Sequence, residues 1–490
     1  MQVIRKNTHE FLYQQVISFI EHQQRIGVLR PGDKLPSLRK LSRQFDISVP
    51  TVKQAYLELE RQGTISARPQ SGYYLKAQQT KTLQPRPSLW HSTSPVEVKC
   101  RSLIEQVHDA LHMPNTVALG ISNPINCHPP DKSLARLMRA VISKNSEKAV
   151  SYGPISGCPK LRLQLAYRYQ EMGVMAMPDE IIITNGAQEA LSIALQSVAK
   201  AGDIIAIESP CFFGIIELIE SLDTKALEVY TCPEKGVCID KLSTVIKQHN
   251  IKACLFSTAI NNPLGSMMSN SQRQAMVQLL EKNNIVLIED DVYSDLYFNE
   301  QRPKPAQYFS EKGLVITCSS FSKTAAPGYR IGWLMSAKFE EKAKRIKRAQ
   351  SCSTPMLQQW TLTEYLLTGE YDRHLALLRK KLIYHCERMK ALIAQYFPDD
   401  ICISNPQGGS VLWIRCRSQL QTTDIFAQAI KQEVSFTPGV IFSPSGKYKN
   451  YMRISFGVKW NEKIEQAVAK LGKLLHQHSS STSAVQNHYE

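Results

Sequence analysis

Asn284-Ile285-Val286-Leu287-Ile288-Glu289-Asp290-Asp291-Val292-Tyr293 and Gly313-Leu314-Val315-Ile316-Thr317-Cys318-Ser319-Ser320-Phe321-Ser322-Lys323 decide the fold of this chain. Each is a continuous apolar run that ends abruptly in reactive side chains. Uninterrupted runs of this length suit strands of a parallel sheet covered on both faces. The acids and tyrosine at the end of the first run, and the S-x-S-K at the end of the second, then fall outside the C-terminal ends of strands. Open α/β sheets bind their ligands there.

A lysine flanked by small hydroxyl residues at such a strand end is suited to form a Schiff base with an aldehyde cofactor. The protein then supplies a carboxylate for the pyridinium nitrogen and donors for the phosphate. Asp290 suits the first role, with Asp291 as the competing choice. Ser320, Ser322 and Arg330 suit the second, Arg330 as a bidentate fork. An acid-x-x-Tyr motif, then S-x-S-K, then an Arg seven residues on resembles the fold type I, pyridoxal phosphate-dependent aminotransferases. The resemblance implies an α/β body with a mixed seven-stranded sheet, large and small subdomains, and pyridoxal 5'-phosphate attached to Lys323.

Further stretches carry the same resemblance. Thr184-Asn185-Gly186-Ala187-Gln188 reads as strand, glycine turn and helix start. Unpaired N–H groups at a helix start bind phosphate, so Gly186, Ala187 and Gln188 are cup candidates. Phe212 stands where the family stacks an aromatic on the pyridine ring, and Phe213 is the alternative. Asn262, in Asn262-Pro263-Leu264-Gly265, would donate to the cofactor's phenolic oxygen, with Tyr293 as second donor. Tyr152, in Ser151-Tyr152-Gly153-Pro154, matches a tyrosine that reaches the phosphate of a neighbouring subunit and so implies a homodimer. Arg453 stands where the family clamps a substrate carboxylate. Val117 to Pro124 reads as a strand into a turn, and the matching glycine segment lies over the substrate in the family.

The first 76 residues have a different organisation. Leu12, Val16, Phe19 and Ile20 have helical spacing within residues 10–27. Ser37 caps a helix over Leu38 to Phe45, and Ser48 or Pro50 opens another that stops at Gly63. Ile65 to Arg68 and Gly72 to Leu75 read as two strands. Helix, helix, break, helix, hairpin is the order of a winged helix-turn-helix, and L-P-S-x-R…S-x-x-T-V…S-G-Y resembles the GntR family. That resemblance puts Ser37, Arg39, Arg43, Ser48, Thr51, Lys53 and Gly72 at double-stranded operator DNA.

Residues 77–99, rich in Gln, Thr, Ser and Pro, read as a linker. Residues 100–475 form the cofactor-binding body and 476–490 a polar, disordered tail. A winged head, a linker and an aminotransferase-like body together resemble the MocR subfamily of GntR-type transcriptional regulators, PdxR-like ones included. Such a regulator would sense its cofactor, or an amino acid or amine effector, and control transcription in the bacterial cytoplasm and on the nucleoid. The rival expectation is a working aminotransferase with a residual DNA-binding head.

Composition agrees with several globular domains: 490 residues, 43% of them apolar. No run approaches the ~18 apolar residues of a membrane span. The twelve cysteines include no Cys-x-x-Cys and read as reduced, buried thiols. No metal site is expected. The net charge of +16 suits an anionic partner, although residues 1–75 hold only eleven Lys+Arg against six Asp+Glu. Lys338, Lys342, Lys344, Arg345, Lys347 and Arg348 read as a solvated basic helix face.

Overall fold

The computed structural model describes residues 11–25, 28–68, 71–76, 81–82, 94–96 and 101–486. The chain divides into two compact units. One comprises residues 1–81, 383–401 and 465–490, the other residues 82–382 and 402–464. Residues 383–401 and 465–490 therefore fall in the same compact unit as residues 1–81.

In the first unit the helices Leu12–Arg25, Leu38–Phe45 and Val49–Arg61 precede the antiparallel hairpin Ile65–Arg68 and Gly72–Leu75. Val16, Ile20, Leu41, Val52 and Leu59 are wholly buried in one cluster. Each such side chain contributes roughly 1.5–3 kcal/mol on leaving water. Tyr56 joins them and its hydroxyl donates to the Pro36 carbonyl at 2.7 Å, which ties the third helix to the turn before the second. The helix Glu462–Gln486 continues through a stretch expected to be disordered. No Gly or Pro follows Gly472, so nothing local stops it.

The second unit holds the main sheet, in the order Ile181–Thr184, Gly332–Met335, Val315–Ser320, Val286–Asp290, Ile251–Phe256, Ile204–Ser209, Lys225–Cys232, Gly236–Val237. Gly332–Met335 runs antiparallel to both neighbours, and the strands from Val315–Ser320 to Lys225–Cys232 are mutually parallel. The first seven make the expected mixed sheet. The eighth, two residues long and antiparallel, has too little apolar pattern to be read in advance.

Apolar clusters cover both faces. Ala190, Leu191 and Ile193 pack on one side, Leu242, Met276 and Leu280 on the other. That is why Val286–Asp290 is apolar without alternation. A second sheet orders Thr437–Pro438, Tyr451–Ser455, Val411–Arg415 and Cys402–Ile403, all antiparallel, and sets Arg453 opposite Trp413 and Thr437.

The strand expected from Val117 to Pro124 is only Val117–Ala118, paired with Val434–Ser435. Beyond it the chain leaves the sheet and crosses the site as a loop. Of the 77–99 linker, Val96 exchanges backbone hydrogen bonds with Ala226 at 2.9 and 3.1 Å, which lays that end against a strand. Most of the linker lies outside the described residues. Of the eleven described cysteines, eight are buried and Cys352 is exposed. Among the described residues no helix is long and apolar enough to cross a membrane.

Candidate functional site

Register places the reactive side chains together. Asp290 pairs with Cys318 across two parallel strands, so the acid of the first and the Ser320–Lys323 turn of the second leave the sheet at one edge. Lys323 Nζ donates to the Ser122 carbonyl at 2.6 Å and lies 5.7 Å from the centroid of the Tyr293 ring. Asp290 is half-buried and accepts the Val292 N–H at 3.2 Å. Burial, aided by Asp291, raises its pKa to about 6 against the pull of that N–H and of Lys323.

Asp291 is committed elsewhere. Its carboxylate takes Arg302 Nη2 at 2.7 Å and the Ser294 hydroxyl, under almost complete burial. An acid already neutralised by a guanidinium has nothing left to offer a pyridinium. Asp290 faces the site without such a pair among the described residues.

Gly186, at φ +86°, precedes the helix Ala187–Val198, whose first N–H groups lack intrahelical acceptors. A Cβ on Gly186 would strike the Arg330 guanidinium, and one on Gly332 would lie 2.5 Å from the Gly186 carbonyl carbon. Glycine at both positions lets three segments close around one small space. Arg330 lies over it, with Nη2 at 3.3 Å from the Asn185 carbonyl and Nη1 at 3.5 Å from Ser322 Oγ. Ser320 Oγ accepts the Ser322 N–H at 3.3 Å and shapes the turn. The Gln188 side chain is engaged elsewhere, donating to the Gly214 carbonyl at 2.7 Å.

Behind the cup, Glu189 accepts from the Asn185 N–H and pairs with Lys347 at 3.0 Å. Lys347 is wholly buried, so it is not part of a solvated face. Lys344 pairs with Glu340 at 2.8 Å, while Lys338, Lys342, Arg345 and Arg348 are exposed as expected. A basic run gave no sign that one of its lysines turns inward to a glutamate 158 residues away.

Phe212 is half-buried beside the site, whereas Phe213 is buried against Phe442 and lies 5.8 Å below the Arg453 guanidinium. Of the two rings, Phe212 is the less buried. Tyr152 is 92% exposed and meets none of these groups within its own chain.

Arg453 is 3% exposed and has no carboxylate partner among the described residues. Nη1 donates to Asn262 Oδ1 at 3.0 Å, Nη2 to the Gly120 carbonyl at 2.7 Å, and Nε has no acceptor among the described residues. Burial lowers its pKa to about 10. A desolvated guanidinium with an orphaned donor is incomplete without an anion. The bond from Nη1 also orients the Asn262 amide so that its donor end points away from Arg453. Lysine, unpaired acid, glycine cradle with arginine, and orphaned Nε together fit pyridoxal phosphate and a carboxylate-bearing ligand.

Glu208 was not singled out from the sequence. It ends an apolar strand, is 2% exposed and accepts the Ser257 N–H at 2.9 Å. Burial raises its pKa to about 7, with Asp290 adding repulsion. An acid closing an apolar run was the available signal. Both carboxyls hold their protons more tightly folded than unfolded. Their stabilising contribution is therefore full below about pH 4 and lost as pH rises through 6 to 7. The cofactor-free protein is expected to melt lower at pH 8 than at pH 5. Asp290→Asn should remove on the order of 1 kcal/mol of that difference, allowing for partial exposure. Asp295, held to about 2 by Arg302 and Arg168 despite its burial, does not titrate in this window.

In the head, Ser37 accepts the Lys40 N–H at 3.2 Å, and Ser48 accepts the Thr51 N–H at 3.3 Å and meets the Thr51 hydroxyl at 2.8 Å. Both serines are N-caps, so their exposed hydroxyls hold helix starts first. Arg39, Arg43, Lys53 and Gly72 are exposed. Ser48→Ala is expected to cost the head about 1 kcal/mol. Ser48→Asp keeps the cap but adds a negative charge, so it should preserve the melting temperature while weakening operator binding more than Ser48→Ala.

Comparison with known proteins agrees with both halves. The aminotransferase class I and II family matches residues 117–471, and the bacterial regulatory protein gntR family matches residues 12–75. The chain is 35% identical over 463 residues to the HTH-type transcriptional regulator YdcR of Escherichia coli, covering 94% of this chain and 98% of that one. It is 33% identical to YjiR of the same organism, over 95% and 98% of the two chains. The α-aminoadipate aminotransferase LysN of Thermus thermophilus superposes with a TM-score of 0.71 at 25% identity, over 77% of this chain and 95% of its own. This chain thus belongs to the MocR type of GntR-family transcriptional regulators, pyridoxal phosphate-dependent proteins that join a helix-turn-helix head to an aminotransferase class I and II domain.

Proposed function

We propose that this regulator carries pyridoxal 5'-phosphate on Lys323 and uses the loaded site to sense the cofactor itself or an amino acid or amine. Asp290 would pair with the pyridinium nitrogen. Gly186, Ala187, Gln188, Ser320, Ser322 and Arg330 would hold the phosphate. Phe212 would stack on the ring, Asn262 and Tyr293 would donate to its phenolic oxygen, and Arg453 would take the ligand's carboxylate. When bound, the cofactor supplies an electron-poor carbonyl equivalent that condenses with amines. The observation that carries the reading is Arg453, a buried cation beside Asn262 with no anion among the described residues.

Ser37, Arg39, Arg43, Ser48, Thr51, Lys53 and Gly72 would meet operator DNA from a head over 1–76, joined through 77–99 to the body over 100–475. The exposure of Tyr152 supports its delivery to a second copy's phosphate cup, hence a homodimer. The setting would be the bacterial cytoplasm, on the nucleoid when bound to DNA. Regulation then requires a coupling free energy between two sites. Operator affinity is to be measured with and without cofactor, in the wild type and in Lys323→Ala. A change confined to the loaded wild type is expected, and four equal affinities would sink the reading.

The presence of Lys323, Asp290 and Arg453 also favours a second reading, a working aminotransferase. Rapid turnover with a 2-oxo acid, followed by absorbance, would support it.

A further inference from the structure

Ser122, Tyr293 and Ser410 form a buried hydroxyl row beside Lys323. Ser122 Oγ lies 2.5 Å from Tyr293 Oη and 3.0 Å from Ser410 Oγ. The three are 7%, 8% and 0% exposed. Ser122 also gives its carbonyl to Lys323 Nζ at 2.6 Å, so one residue touches both the amine and the phenol.

The direction of the row follows from where a proton can be left. Ser410 Oγ meets only Ser122 Oγ among the described residues, and Tyr293 Oη meets only Ser122 Oγ. If Tyr293 donated to Ser122, the proton of Ser410 or, with Ser410 also donating to Ser122, that of Ser122 would end in a buried place with no acceptor among the described residues. A buried donor without a partner is costly. In the opposite direction Ser410 donates to Ser122 and Ser122 to Tyr293. The unmatched proton is then that of Tyr293, at the edge of the site.

We infer that Ser122 is a positioning residue, which with Ser410 fixes the Tyr293 hydroxyl as a donor aimed at the cofactor's phenolic oxygen. Donation onto Oη also polarises the phenol and strengthens its own donated bond, as in any hydrogen-bond chain. The inference rests on the reading that the site holds pyridoxal phosphate. It adds what prepares Tyr293 before the cofactor arrives.

The test uses the full chain and pyridoxal 5'-phosphate. Wild type, Ser122→Ala, Ser122→Thr and Ser410→Ala are compared, each also in a Tyr293→Phe background. Readouts are the cofactor Kd by equilibrium dialysis and the pH midpoint of the bound cofactor's visible band. Ser122→Ala is expected to raise the Kd about threefold to tenfold. It should move the midpoint upward by about half a unit or more, because a weaker donor no longer holds the cofactor's oxygen anionic. Ser122→Thr should restore both values, and Ser410→Ala should shift them less in the same direction. Neither change should add anything in Tyr293→Phe.

If Ser122→Ala misfolds, Ser410→Ala carries the comparison. Cofactor uptake by the wild type with an unmoved midpoint in the variants would overturn the inference alone. An equal shift in the Tyr293→Phe background would do the same. A wild type that takes up no cofactor would overturn it together with the proposed function.

Discussion

Lys323→Ala is expected to yield a folded protein in which borohydride no longer fixes the cofactor to the chain. In the wild type, the same treatment should add the mass of reduced pyridoxal phosphate to a single peptide containing residue 323. The amine is the group at this strand end placed for the bond, half-buried and held at 2.6 Å by the Ser122 carbonyl. Its removal leaves the Gly186 cradle, Arg330 and Asp290 intact, so non-covalent binding persists in weakened form. Retention should fall by about a hundredfold or more, roughly 2.7 kcal/mol. The fold should tolerate the change, since the lysine makes a single protein hydrogen bond and no ion pair among the described residues. The experiment is mass spectrometry of the digested protein after reduction. Label found on a different lysine would refute the assignment.

Arg453→Met should separate function from stability. Truncating one member of a buried charge pair costs about 2–5 kcal/mol of ligand affinity, so the response to a carboxylate-bearing amine should weaken roughly thirtyfold or more. Most losses on that scale come with a less stable protein. Here the cofactor-free melting temperature should hold or rise. The guanidinium is desolvated, its pKa is driven down to about 10, and its Nε has no acceptor among the described residues. Replacing a buried cation that has no anion among the described residues by an apolar chain of similar length relieves that cost. Calorimetry without ligand and titration with an amino acid, compared with its decarboxylated amine, check both halves. A melting temperature that drops by many degrees, with effector binding intact, would assign Arg453 to the scaffold.

The positions of these groups were legible to different depths. Apolar runs without alternation announced a covered parallel sheet, and reactive residues at their ends announced a site at one edge. Helix starts at Ser37 and Ser48 were readable because capping is local: donor and acceptor lie three residues apart. The sequence favoured Asp290 and left Asp291 as the competing choice. It did not show that Arg302, from a later loop, pairs with Asp291. Phe212 and Phe213 differ only in which one turns toward the core and Arg453. Lys347 looked like its solvated neighbours until the fold set Glu189 against it.

By itself the chain's sequence determined two domains, their fold classes, the lysine and the glycine cradle, because periodicity, capping and backbone freedom act over a few neighbouring residues. Tertiary structure alone decided which acid stays unpaired and which arginine lacks an anion among the described residues, and which serine stands against Tyr293. Those outcomes depend on side chains brought together from far apart, such as Ser122 and Ser410 at a separation of 288 residues, and on the removal of water around them.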